Sequence, residues 1–228
     1  MRLNEGWGIL CYSHSMMFHS PQYTLTEERF HGITHGIGAV LSVAGLVALV
    51  VMAAQGGDVW RIVSFSIYGG SLTLLYLAST LYHSFQNERL KRFFRHLDHL
   101  SIFLLIAGTY TPVTLISLRG AWGWTLFVLI WGFAMGGIVY ELLFLGRHKW
   151  ISVTIYLGMG WLAIVAIKPM LTMVPRGLLW WLLAGGLFYT GGVLFYVRKK
   201  MRYHHVLWHL FVLFGSACHF VGIFFYLT

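Results

Sequence analysis

The run Leu210 to Leu227 carries no charged residue and is long enough to cross a bilayer as a helix. It is one of several such runs, and that fact constrains the fold more than any other. Inside lipid every backbone polar group must be satisfied within the protein, so only helices or closed barrels can span. Barrel strands read as alternating segments of ~10 residues, and these runs are longer and continuously apolar. The chain is 58% hydrophobic and only 10% charged, where a soluble domain has roughly a quarter charged residues. It therefore reads as an all-α membrane protein, a bundle of seven transmembrane helices, multi-pass in the cell membrane.

The spans follow from the breaks between them. Thr24-Leu25-Thr26-Glu27 has the Thr-x-x-Glu form of a capping box. It precedes His31-Gly32-Ile33-Thr34-His35-Gly36-Ile37-Gly38 and the first span, Ala39 to Ala54. Gln55 to Asp58 is a turn, and the second span covers Trp60 to His83. A basic loop with Glu88, Arg89, Lys91, Arg92 and Arg95 leads to Asp98, which opens the third span to Leu118, with a kink expected at Pro112. The fourth span is Ala121 to Leu145, the fifth Trp150 to Met170, the sixth Gly177 to Val197, and the seventh opens at His204-His205. Met1 to Gln22 has no signal-peptide pattern and reads as part of an N-terminal extension, 1–26, ahead of a single domain, 27–228.

Seven spans put the termini on opposite sides. Of the 16 Lys and Arg, all but Arg61, Arg119, Lys168 and Arg176 fall on the N-terminal side. The positive-inside rule then predicts a cytoplasmic N-terminus and an external C-terminus. The basic excess is explained by topology and anionic headgroups, and no nucleic-acid partner is implied. Cys11 and Cys218 imply no disulfide framework.

Polar residues gather at one depth. His205 and His209 are four apart, so a helix places both imidazoles on one face, and such a pair is half of a metal site. His83 ends the second span on the same side, Ser79 lies one turn before it, and His31, His35 and Asp98 share that level. His83, His205 and His209 with a water would give a zinc site with an open position. Asp98 could serve as its base and Ser79 could hydrogen-bond a developing oxyanion. Blander readings stand beside these. His96, His99, His148 and His204 read as interfacial or capping groups, and His219 as a hydrogen bond across the bundle or the lining of a cavity. Asp98 alone could be an N-cap. The pairs Gly69-Gly70, Gly136-Gly137, Gly185-Gly186 and Gly191-Gly192 read as helix-packing positions.

Five stretches together resemble the bacterial hemolysin III family, the prokaryotic branch of the progestin and adiponectin receptor family, which shares a superfamily with the alkaline ceramidases. They are Glu27-Glu28 through Gly38, Ala78 to His83, Leu97-Asp98-His99, Ile106 to Pro112, and His205 to His219. The resemblance implies seven helices with a cytoplasmic N-terminus. It also implies zinc held by His83, His205 and His209, with Asp98 and Ser79 at the matching polar positions. The family commonly carries Asn where this chain has His31.

Three functions compete. One is a zinc-dependent hydrolase acting on a membrane lipid amide or ester. The second is a non-enzymatic regulator or receptor, linked to membrane energetics, with structural zinc and a lipid-sized ligand. The third is a pore-forming cytolysin, which the family name carries, although the sequence shows no amphipathic hairpin or charged ring for a pore.

Overall fold

The computed structural model describes residues 23–144 and 149–228. The expected extension up to Gln22 and the turn at Gly146 to His148 lie outside the described residues. All regular structure within the described residues is helical, and seven stretches are long and apolar enough to cross a membrane.

Helix α1 (Leu25–Gln55) is one continuous rod that includes the His31-to-Gly38 motif as well as the apolar run. The capping box starts it: Glu27 N–H donates to Thr24 Oγ1 at 3.2 Å, and Thr24 N–H donates to Glu27 Oε2 at 3.0 Å. Gly57, with φ 65°, supplies the left-handed residue that turns the chain into α2 (Val59–Ser84). There Asp58 caps the Trp60 N–H at 2.9 Å.

The third helix corrects the sequence reading. Helix α3 (Glu88–Pro112) starts ten residues before Asp98, because Asn87 accepts from Arg89 N–H at 3.0 Å and Leu90 N–H at 3.2 Å. Arg, Lys and Leu are good helix formers, so the supposed basic loop is helical, and Asp98 sits inside α3 rather than at its cap. Pro112 has no N–H to continue the ladder, and the chain widens into a π-helical turn, Val113–Ser117.

Helix α4 (Ala121–Phe144) follows. The fifth span, unlike its sequence reading, is broken. It consists of α5 (Lys149–Gly160), a 3-10 turn (Leu162–Ala166) and α6 (Ile167–Met173). Tyr110 of α3 repairs the break: its hydroxyl donates to Gly160 O at 3.0 Å and accepts from Ala163 N–H at 2.9 Å. A neighbouring side chain thus meets backbone groups freed at membrane depth. Helices α7 (Arg176–Val197) and α8 (His204–Leu227) complete the bundle.

Helix α1 packs between α2 and α8, α2 packs on α3, α3 on α4, and α7 on α8. Phe65, Tyr68, Tyr76 and Phe103 are fully buried between helices, whereas Val40, Trp180 and Phe225 are about 70% exposed on the apolar exterior, toward lipid. The glycine expectation holds for Gly69, whose added Cβ would lie 2.6 Å from Leu46 Cδ1, and for Gly137 and Gly185, which lie against Phe103 and His219. Gly70 and Gly136 face open space and make no such contact. The antiparallel closure of α1, α2 and α8 brings the end of α2 to the beginnings of α1 and α8, where the site lies.

Candidate metal centre

One ring nitrogen each of His83, His205 and His209 lies within 4.8 Å of the other two. The last turn of α2 supplies the first, and successive turns of α8 supply the others, their rings 4.6 Å apart. His83 and His209 are 2% exposed. The geometry around them fixes which nitrogens are free. Glu28 Oε2 lies 2.6 Å from His83 Nδ1. A carboxylate only accepts, so Nδ1 carries the proton and Nε2 the lone pair. His83 Nε2 is buried with no hydrogen-bond partner, and so is His205 Nδ1. His209 Nδ1 lies 3.4 Å from Thr34 Oγ1, whose own proton goes to Phe30 O at 2.8 Å. Nδ1–H of His209 is therefore the donor, and its Nε2 is also free to ligate.

Unpaired buried nitrogens cost about 1–3 kcal/mol each, and a shared cation would satisfy both. Neutral imidazole is a good ligand for the late first-row divalent metals. His83 and His209, each oriented by a partner on Nδ1, together with His205 fit a transition metal.

A second group, Glu28, His31 and His83, shares His83 and also has metal-ligand spacing. Here the carboxylate is already engaged, since Lys91 Nζ donates to Glu28 Oε1 at 2.7 Å. This group therefore supports His83 from behind. His31 is fully buried, its ring 4.6 to 5.2 Å from those of His83, His205 and His209, and neither of its nitrogens makes a hydrogen bond. His35 stacks on His209 at 3.6 Å. Tyr23 closes the end of the cluster, stacked on His205 at 5.2 Å, and burial raises its phenol pKa above the ordinary value.

The cluster opens on an apolar cleft with a cavity volume of about 160 Å³. Ser79, Asp98, His205 and His209 line it. Ser79 is 1% exposed and its Oγ has no hydrogen-bond partner. Asp98 has no ion-pair partner among the described residues. The cleft thus holds a carboxylate outside ion-pair distance of any cation among the described residues, with a buried hydroxyl, beside the metal-type histidines.

The bland readings of the other histidines divide. His96 Nδ1 lies 2.7 Å from Arg92 O one turn back in α3, and His204 Nδ1 lies 3.2 Å from Phe195 O in the last turn of α7, a capping contact. His219 Nε2 lies 3.1 Å from Leu182 O across the bundle while the ring also lines the cleft, so both sequence readings hold. His148 lies outside the described residues. His99 is not a bland group. Its Nδ1 lies 3.0 Å from Glu141 Oε1, and Ser152 Oγ donates to Glu141 Oε2 at 2.7 Å, all three lining the cleft. Neither this network nor Glu28 is among the site residues expected from sequence. A signal existed for Glu141, the one carboxylate of the fourth apolar run, because ionisable groups within spans are expensive and usually functional. For Glu28 the signal was its place one turn before His31.

The sequence profile of the family described as "Haemolysin-III related" matches residues 23–220. A hemolysin-3 homolog of Bacillus subtilis (strain 168) is 46% identical over 204 residues, covering 90% of this chain and 96% of the relative. Hemolysin-3 of Bacillus cereus is 47% identical over 200 residues, covering 88% and 91%. A human protein, monocyte to macrophage differentiation factor, is 29% identical over 210 residues, covering 90% and 86%. With the profile matching most of the chain and all seven spans in place, this multi-pass membrane protein belongs to the hemolysin III family.

Proposed function

We propose that the chain is a zinc-dependent hydrolase that cleaves an amide or ester bond of a membrane lipid, with His83, His205 and His209 holding the ion. The observation that carries this reading is the placement of His205 and His209, with the buried Ser79 hydroxyl and the Asp98 carboxylate, on the wall of one apolar cleft. A structural zinc usually has four protein ligands, often cysteines, and keeps no open position. Cys218 is nine residues past His209, about 13 Å along the helix at ~1.5 Å per residue, too far to complete such a set.

When bound, the ion supplies a Lewis acid that polarises the scissile carbonyl and acidifies water. Asp98 accepts the proton of the attacking water and returns it to the leaving nitrogen or oxygen as the acyl bond breaks. Ser79 donates a hydrogen bond to the oxygen that gains charge at the acyl carbon. The apolar walls hold the acyl chain and exclude bulk water. The surplus of basic residues at the metal end supports a cytoplasmic location for that end and for the N-terminus.

The test is incubation of purified, zinc-loaded protein in nanodiscs with lipid amides and lipid esters, read by mass spectrometry. Turnover that is lost in Asp98→Asn supports the hydrolase. No turnover across the panel gives first place to the regulator reading, which the enclosure of the cluster by Tyr23 and His31 favours. The names of the two Bacillus relatives support the cytolysin reading, which an erythrocyte-lysis assay of the same preparation addresses.

A further inference from the structure

Below the metal cluster a second cavity opens at the same end of the bundle, lined by Arg95, Lys199, Lys200 and Arg202 with two acids, Glu27 and Asp98. It is continuous in its lining with the apolar cleft, because Asp98, His99, Tyr196 and His205 border both. Basic loops are ordinary at one end of a membrane bundle, and Lys199, Lys200 and Arg202 alone would be no more than that. Arg95 is different. It is 9% exposed, yet among the described residues it makes no hydrogen bond and no ion pair. Of the acids nearby, Glu27 is occupied in capping Thr24 and receiving Tyr203 N–H at 3.4 Å. Asp98, one turn along α3, stands beyond ion-pair distance. Its guanidinium reaches the open space of the vestibule with no acid within ion-pair distance, so it is free to receive an anion there. Its planar fork matches phosphate oxygens two at a time, and basic pockets between transmembrane helices take phosphate headgroups.

We infer that this vestibule is a headgroup subsite for an anionic, phosphate-bearing acyl lipid whose hydrocarbon chain lies in the apolar cleft. The two cavities meet at Asp98 and His205, so the linkage between head and tail falls beside the metal-type histidines. As a substrate assignment this rests on the hydrolase reading, and it specifies the acyl bond nearest the phosphate as the one cleaved. Neutral lipids of the same chain length lack the group that Arg95 awaits.

The experiment measures binding without turnover, so the two readings fail separately. Chelator-treated protein in a neutral detergent is equilibrated with labelled lysophosphatidic acid or with the monoacylglycerol of the same chain. Charge-assisted hydrogen bonds of this kind predict at least about a tenfold preference for the phosphate-bearing lipid. In Arg95→Gln the preference should collapse while monoacylglycerol binding is kept. The double variant Lys199→Gln/Lys200→Gln, on exposed positions, should reduce the preference and serves where Arg95→Gln does not fold. Glycerol 3-phosphate and inorganic phosphate are run as competitors. Weak competition supports a lipid headgroup, whereas competition as strong as that of the unlabelled lipid overturns it in favour of a free phosphate site. Equal retention of the two lipids, or an undiminished preference in both variants, overturns the inference. Zinc-loaded protein that binds the anionic lipid and does not cleave it removes the substrate role alone, leaving the headgroup subsite standing and the hydrolase reading to the wider lipid panel.

Discussion

Replacing Glu28 by glutamine tests the metal centre at its support rather than at its ligands. In the native arrangement Glu28 Oε2 takes the Nδ1 proton of His83 at 2.6 Å, and Lys91 holds the other oxygen at 2.7 Å. Both contacts are charge-assisted, and Glu28 is 6% exposed, so solvent replaces neither. The glutamine side chain has nearly the same shape as the glutamate it replaces. Its amide is a weaker acceptor, and when rotated it presents an N–H to His83 Nδ1, which favours the tautomer with the proton on Nε2 and removes the ligating lone pair. Loss of a partner behind a metal-bound histidine weakens metal binding by ~10–100-fold, which is about 1.4–2.8 kcal/mol. The assay is competition for zinc between detergent-solubilised protein and a chromogenic chelator, with thermal melts of the metal-free proteins run alongside to confirm the fold. Lys91→Gln is the control. It removes a partly exposed cation from the far oxygen and leaves the His83 contact in place, so its effect on affinity should be a few-fold at most, as for other solvent-accessible pairs. A Glu28→Gln protein that melts like the wild type and binds zinc within about twofold of it would falsify the assignment of His83 Nε2 as a ligand.

Other outcomes follow from the same geometry. His83→Ala/His205→Ala should abolish stoichiometric zinc by elemental analysis and erase the rise in melting temperature that zinc gives the wild type, since the ion would join α2 to α8; full zinc retention would remove both residues from the site. Asp98→Asn should keep zinc and fold and lose hydrolysis of whatever lipid the wild type cleaves, because an amide cannot take the proton; wild-type turnover would show that the base lies elsewhere. Gly137→Ala drives a methyl into the fully buried Phe103 ring and should cost about 1–3 kcal/mol in a thermal or denaturant melt, whereas Gly136→Ala, which faces open space, should be nearly silent. Reporter fusions should find the N-terminus in the cytoplasm and the C-terminus outside; a C-terminal fusion active only in the cytoplasm contradicts the charge asymmetry.

The sequence by itself determined the membrane class and the number of spans. Long runs without charge leave a backbone no alternative to helices in lipid, and that constraint is local. It also placed His83, His205 and His209 at one depth, because alternating helix direction converts loop side into level, and four-residue spacing converts into a shared face. What it could not decide is where helices continue through polar stretches and which side chains meet across them. The stretch Glu88 to Leu97 looks like a basic loop because its charges dominate the pattern, yet the Asn87 cap and good helix formers extend α3 through it and carry Asp98 well inside the helix. The break at Trp161 follows Gly158 and Gly160, but glycine alone is tolerated in a span, and the break is sustained because Tyr110, about 50 positions earlier, supplies the missing backbone partners. Glu28 behind His83, Glu141 behind His99 and the unpaired Arg95 over the vestibule were likewise decided by packing. The partners of a buried charge are set by which helices lie side by side, and that adjacency is a property of the closed bundle, which no single span encodes.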